Sequence, residues 1–346
     1  MGENKLDALD KRILYELDVD SRQPLSRLAK KMRMSAQRLD YRLKVLEKSG
    51  VIINYFTVID YRKLGHYHYY VYNLRIYGLG TTEEDEMLKK LSEVPECTLI
   101  FRCEGRWDLL IGTVAKSVFE AKENFSRFLA PFRGKIDEGT TIMHIGAYHY
   151  GSRYLVEGEY KEGMIRTKSE KKEEKYGLTG GRMEPADSDE LDVKILRILS
   201  SNARMPTIEI AKAVNSTPET VSYRIREMEK KGVIRFHSVN LKHGRYGHSY
   251  HRIYVKVDRG FVNEEELIEY MKRFPNLIRL NFLFGTYDFL IDLVVESDEK
   301  LRLIFSTMRE HYKNTNMRFE PCRIYTNYKF AYFPTDMFIA GKAKNQ

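Results

Sequence analysis

Residues 35–48 read Ser-Ala-Gln-Arg-Leu-Asp-Tyr-Arg-Leu-Lys-Val-Leu-Glu-Lys. Ser35 is a helix cap, and Leu39, Leu43 and Leu46 form a helical stripe that turns inward. The outward side then carries Ala36, Gln37, Arg38, Tyr41 and Arg42. A guanidinium pairs bidentately with guanine and a carboxamide with adenine, so this face has the chemistry of base readout. Lys30, Lys31, Lys44 and Lys48 are placed for phosphate. A second segment repeats the pattern with Thr217 as cap and Pro218, Glu219, Thr220, Tyr223 and Arg224 outward, with Arg226 beside them. Glu219 can accept from cytosine or repel phosphate, so the second face is expected to bind more weakly.

The two segments belong to a duplication. Leu9–Ile52 lies over Leu191–Ile234 without a gap, and 16 of the 44 pairs are identical, among them Pro24/Pro206, Arg42/Arg224 and the run Gly50-Val51-Ile52/Gly232-Val233-Ile234. A repeat of this length marks duplicated domains. The net charge of +9 is concentrated in these segments: residues 22–49 hold nine Lys/Arg against two Asp/Glu, and residues 204–231 hold six against four. The rest of the chain is neutral, as expected if the two segments face phosphate.

Stepping outward along the chain, the first segment needs three short helices to hold its face. Asp7 caps a stripe of Leu9, Ile13, Leu14 and Leu17, Pro24 opens a second helix, and Arg33-Met34 turns into the third, which Gly50 stops. Val51–Ile59 then reads as a strand, which makes a winged helix-turn-helix. In the second copy Ile208, Ile210, Ala211 and Val214 mark the middle helix. Each head precedes about 90 residues with the order β-α-β-β-α-β, the ferredoxin-like split unit. The expected fold is therefore α+β: a first head over 1–60, a ferredoxin-like domain over 61–156, a charged and glycine-containing linker over 157–186, a second head over 187–242, a second ferredoxin-like domain over 243–335 and a tail over 336–346.

Composition excludes several classes. No apolar run reaches the roughly 18–20 residues needed to span a bilayer, and no membrane partner is expected. Cys97, Cys103 and Cys322 are odd in number and lack CxxC spacing, which fits a reducing cytoplasm. His66 and His68 alternate on one strand without a carboxylate or cysteine at ligand spacing, so they read as packed strand histidines and no metal is expected. No phosphate loop, dinucleotide fingerprint or nucleophile elbow is present, and neither a cofactor nor an enzyme activity is expected.

The motifs together resemble the Lrp/AsnC family of transcription factors. The opening pattern stands as Leu6-Asp7-Ala8-Leu9-Asp10-Lys11-Arg12-Ile13-Leu14, and the recognition-helix pattern as Ser35, Arg42, Leu43 and Leu46-Glu47-Lys48-Ser49-Gly50-Val51-Ile52. The family's Gly-Asp-aromatic-Asp turn is matched by Gly105-Arg106-Trp107-Asp108 and Gly285-Thr286-Tyr287-Asp288. The resemblance implies a nucleoid-associated regulator of double-stranded DNA that dimerises through its ferredoxin-like domains and responds to a small molecule such as an amino acid. It implies ligand contacts at Trp107, Asp108, Tyr287 and Asp288. Three departures matter: the motif set occurs twice in one chain, the usual turn glycine is Arg33 or Asn215, and the first turn aspartate is Arg106 or Thr286. Pairing of the two effector domains within the chain is expected, with assembly to a homodimer or higher oligomer. Two alternatives share the architecture: a haem-pathway decarboxylase acting on sirohaem, and an architectural protein that binds all DNA alike.

Overall fold

The computed structural model describes residues 5–65, 68–156, 185–258, 262–331 and Phe333. His66 and most of the linker expected over 157–186 lie outside the described residues.

The first head consists of α1 (Ala8–Val19), α2 (Leu25–Lys31) and α3 (Ala36–Lys48). Asp7 caps α1 in a reciprocal box with Asp10, and Ser35 accepts from the Arg38 amide at 3.2 Å. These bonds satisfy amides that a helix start otherwise leaves bare. Ile13, Leu14, Leu17, Leu28 and Leu39 are fully buried, each worth about 1.5–3 kcal/mol of transfer free energy. Gly50 ends α3 at φ +71°, where a Cβ would be strained. The second head repeats this with α6 (Glu190–Ser201), α7 (Thr207–Ala213) and α8 (Pro218–Lys230). Ile208, expected among the inward residues of α7, is instead exposed. Its neighbour Ile210 fills the core, and a seven-residue helix has only one buried face to offer.

Arg33 and Asn215, at the turns between second and third helices, both have φ +53°. A left-handed backbone costs a β-carbon-bearing residue about 1–2 kcal/mol, less for asparagine. Arg33→Gly should therefore raise stability by up to about 1 kcal/mol once the extra chain entropy of glycine is deducted. Asn215→Gly should change it by less, and urea midpoints of the two variants check this.

The strand after each head makes no hairpin of its own. β1 (Ile52–Ile59) pairs antiparallel with β6 (Ile234–Leu241), so each head's wing strand completes the other's. The cross-contacts repeat at an offset of 182 residues. Ser21 N donates to His237 O and Ala203 N to Tyr55 O, at 3.1 and 3.0 Å. Arg22 donates to Ala203 O and Met205 O, and Arg204 donates to Ser21 O at 2.7 Å. The heads are thus related by a pseudo-twofold axis within one chain.

Two four-stranded sheets follow the ferredoxin-like order. The first has β2 (His68–Ile76), β3 (Cys97–Gly105), β4 (Leu109–Ala115) and β5 (Ile136–His149), backed by α4 (Thr81–Ser92) and α5 (Val118–Leu129). The second has β7 (Ser249–Val257), β8 (Leu277–Phe284), β9 (Phe289–Val295) and β10 (Met317–Phe330), backed by α9 (Glu264–Met271) and α10 (Asp298–His311). Edge strand β5 pairs with β8, and β10 pairs with β3, closing an eight-stranded barrel. Closure satisfies every edge that an isolated ferredoxin-like sheet would leave open. The pairing expected between effector domains is met inside the chain.

Candidate nucleic-acid interface and head–barrel cavity

On α3, Ala36, Gln37, Arg38, Tyr41 and Lys44 are exposed, as is the cap Ser35. Tyr41 keeps 69% of its surface, too much for a packing role. Lys44 is paired with Asp40 one turn back at 2.6 Å. The second head exposes Thr217, Glu219, Tyr223 and Arg226, with Pro218 and Thr220 half-buried. Each set occupies one helix face beginning at a capped N-terminus, the end a major-groove helix presents to bases.

Arg42 and Arg224 do not join that outward face. Arg42 Nη1 lies 2.8 Å from Asp7 and 2.6 Å from Asp10, and Arg224 makes the matching pairs with Asp189 at 2.9 Å and Asp192 at 3.4 Å. These arginines fasten the recognition helix to the N-terminus of the head's first helix. The negative partners sit where the helix dipole favours them. Hydrogen bonds that Arg42 donates to Asp7 and then to Asp10 raise its pKa. Burial pushes the Asp7 carboxyl up, but the Asp10 amide and Arg42 outweigh it and leave the group below its ordinary value. The expectation that both arginines read bases is corrected to a structural role. The Leu-Asp-x-x-Asp opening already held the signal, because two acids three residues apart at a helix start need a cation.

The turn residues also take structural roles. Trp107 and Tyr287 are buried, at 1% and 3% exposure. Asp108 accepts from Ile76 N at 3.0 Å and Asp288 from Val257 N at 2.7 Å, so each carboxylate ties its hairpin to the first strand of its sheet. Tyr287 donates to Glu320 at 2.6 Å. None of the four lines the two cavities described below.

A cavity of about 630 Å³ opens where the heads meet the barrel mouth. Its wall takes Tyr15 and Asp18 from α1, Phe236 from β6, Tyr250 from β7, Arg279 from β8 and Arg323 from β10. Residues from heads and barrel are brought together only by the tertiary fold. Behind it a narrow neck of about 40 Å³ enters the barrel between Thr98, His144, Arg252 and Asn281. Arg252 and Asp292 form a fully buried pair at 3.0 Å, and Arg279 approaches the second oxygen of Asp292 at 3.5 Å. No signal in the sequence marked this cluster, since its members are spread over three strands. Among the described residues no group of three or more His, Cys, Asp or Glu could hold a metal ion, and no helix is long and apolar enough to cross a membrane.

Burial, then the nearby Arg252 and Arg279, holds the His144 pKa well below its ordinary value. The unfolded chain protonates this imidazole near its ordinary value of 6.5, whereas the folded chain does not. Its contribution is therefore complete above that value and is lost as the pH falls below it, at about 1.4 kcal/mol per pH unit. Burial lowers the pKa of His149, His243 and His251 as well, so urea unfolding from pH 7 to 5 should show a steeper total slope, and a His144→Asn variant should reduce it by about 1.4 kcal/mol per pH unit.

A winged helix-turn-helix DNA-binding family model matches residues 6–53 and again residues 188–235. With paired heads on a ferredoxin-like barrel, the fold and the exposed helix faces define a two-headed DNA-binding protein. An uncharacterized HTH-type transcriptional regulator of Pyrococcus furiosus is 30% identical over 132 residues, covering 38% of this chain and 84% of the relative. The regulatory protein AsnC of Haemophilus influenzae is 24% identical over 119 residues, 34% of this chain and 79% of the relative. The chain belongs to the Lrp/AsnC family of transcriptional regulators. Among solved structures, the siroheme decarboxylase NirDL covers 97% of this chain and all of its own at 14% identity and a TM-score of 0.55. That likeness is one of fold alone.

Proposed function

We propose that the two heads read the two unlike halves of one asymmetric DNA site, so that a single chain does the work of a regulator dimer. The observation that carries this reading is the pseudo-twofold pairing of the heads through β1 and β6, locked by Arg22 and Arg204. It holds two recognition helices in a fixed relation, as a two-part operator requires. Their faces differ: Gln37 and Arg38 in one, Glu219 and Thr220 in the other. The first head supplies most of the base readout and the second positions and discriminates. A small-molecule effector completes the proposal; assembly of chains into a homodimer would instead restore a palindrome. The nucleoid is its place of action.

The test is selection of bound fragments from sheared genomic DNA at low and physiological salt. The expected result is a recurring site with unlike halves centred about 10–10.5 base pairs apart. Uniform binding that disappears with salt would mean an architectural role instead. Absence of binding at both salts, with a tetrapyrrole absorption band in the purified protein, would favour the decarboxylase alternative.

A further inference from the structure

The barrel carries a charge cluster in one repeat that the other lacks. The two hairpin turns align the copies: Asp108 N donates to Leu74 O and Asp288 N to Val255 O. On that alignment Arg252, Arg279 and Asp292 stand where the first copy has Val71, Leu99 and Gly112. Three charged residues have thus replaced small or apolar ones at one end of a duplicated barrel. Packing does not explain the change, because the first copy fills the same positions without charge.

The electrostatics are uneven. A single carboxylate, Asp292, is shared by two guanidiniums, and Asp292 and Arg252 keep 0% and 2% of their side-chain surface. Arg252 is taken wholly out of water, and a buried guanidinium is costly where one of its donors is left unmet. Arg252 Nη1 and Thr98 Oγ1 are buried without a hydrogen-bond partner, and both residues line the neck. His149 Nε2 is likewise buried without a partner, at the junction of neck and outer chamber. Arg279 and Phe330 line both spaces, which therefore lie side by side. Among the described residues two acids face the outer chamber, and both are engaged: Asp18 accepts from Ser152 N and Ser238 Oγ, and Glu229 meets His237 at 3.1 Å. Aromatic rings from Phe236, Tyr250 and Phe330 form its apolar wall.

We propose that this cavity binds an organic acid with an aromatic body: its carboxylate or phosphate enters the neck between Arg252 and Arg279, and its ring occupies the outer chamber. A guanidinium donates charge-assisted bonds to either oxyanion, so both groups fit the neck chemically. The outer wall joins α1 of the first head, β6 of the second and three barrel strands. A ligand seated there bears on the heads and the barrel together, and on the DNA-binding reading above it adjusts operator affinity.

Three fluorescent probes with one ring system test the site on the full chain without DNA: 1-naphthoate, 1-naphthyl phosphate and 1-naphthalenemethanol. One acid probe per chain should bind, at least about tenfold tighter than the neutral alcohol, as a charge-assisted contact implies. Whichever acid binds better identifies the oxyanion. Arg279→Gln should erase most of the difference. Thr98→Val, which replaces an unpartnered hydroxyl by a methyl and leaves the fold intact, should weaken the acids by about two- to fivefold and leave the alcohol unchanged. Equal binding of acids and alcohol, or acid binding indifferent to both substitutions, overturns the site. The regulatory part is read separately on the selected DNA fragment. Saturating acid probe should change its affinity, and DNA should change probe affinity by the same factor. Probe binding that leaves DNA affinity unchanged overturns the coupling and leaves the site standing.

Discussion

Asp292→Ala should lower the unfolding free energy by about 3–5 kcal/mol, because removing one partner of a buried ion pair leaves an uncompensated charge behind. Here it leaves two. Arg252 is 2% exposed and Arg279 18%, and Asp292 is the carboxylate that both approach. The comparison that isolates the cause is a triple variant carrying the first copy's residues, Arg252→Val, Arg279→Leu and Asp292→Gly. It removes the charges together, and apolar replacement of a buried ionic cluster is often neutral or stabilising. The triple variant should therefore recover most of the loss. Urea unfolding of the three proteins decides the matter. A single variant as stable as the parent would show that water reaches the cluster and that its burial carries no cost.

Arg38→Ala should weaken binding to the selected operator by about 1–3 kcal/mol, roughly 5- to 150-fold, and relax preference at one base pair. The side chain is exposed on the recognition face and its backbone amide is already held by Ser35. Its loss therefore leaves the helix in place. Arg42→Ala should behave differently. That guanidinium bridges Asp7 and Asp10, and exposed pairs of this kind contribute about 1 kcal/mol or less to stability. Its effect should be seen in the melting of the first head more than in base preference. In the second head, Arg226→Ala should cost less than Arg38→Ala, since Glu219 opposes phosphate on the same face. Fluorescence anisotropy with matched and mutated half-sites separates these outcomes. Equal losses for Arg38→Ala at every base substitution would reduce Arg38 to a phosphate contact.

The elements themselves were legible along the chain. Asp7, Ser35, Asp189 and Thr217 stand as caps where helices begin, and capping chemistry is local. Leu39, Leu43 and Leu46 recur at helical spacing and are buried as that spacing requires. The left-handed turns at Arg33 and Asn215 were also readable, because a missing glycine leaves the backbone demand unchanged. The order β-α-β-β-α-β, seen twice, implied two sheets with edges to cover.

What lay beyond the sequence was partnership across distance. Arg42 and Arg38 are four residues apart on one helix, yet one is held by acids 32 and 35 positions away and the other faces outward. Helical periodicity assigns a face and cannot say what another helix will place against it. Trp107 and Tyr287 looked equally suited to a ligand or to a hairpin, and the packing of the two sheets decided for the hairpin. The strands β1 and β6 looked like two separate wings; their union needed both heads to be present and turned toward each other. The charge cluster of Arg252, Arg279 and Asp292 exists only because three strands of one repeat bring it to the barrel mouth. Local chemistry and duplication thus established the heads, the ferredoxin-like units and the concentration of positive charge in the heads. Closure of the barrel, pairing of the heads and the cavity between them were set by tertiary structure, because each depends on contacts between residues whose separation in sequence carries no periodic trace.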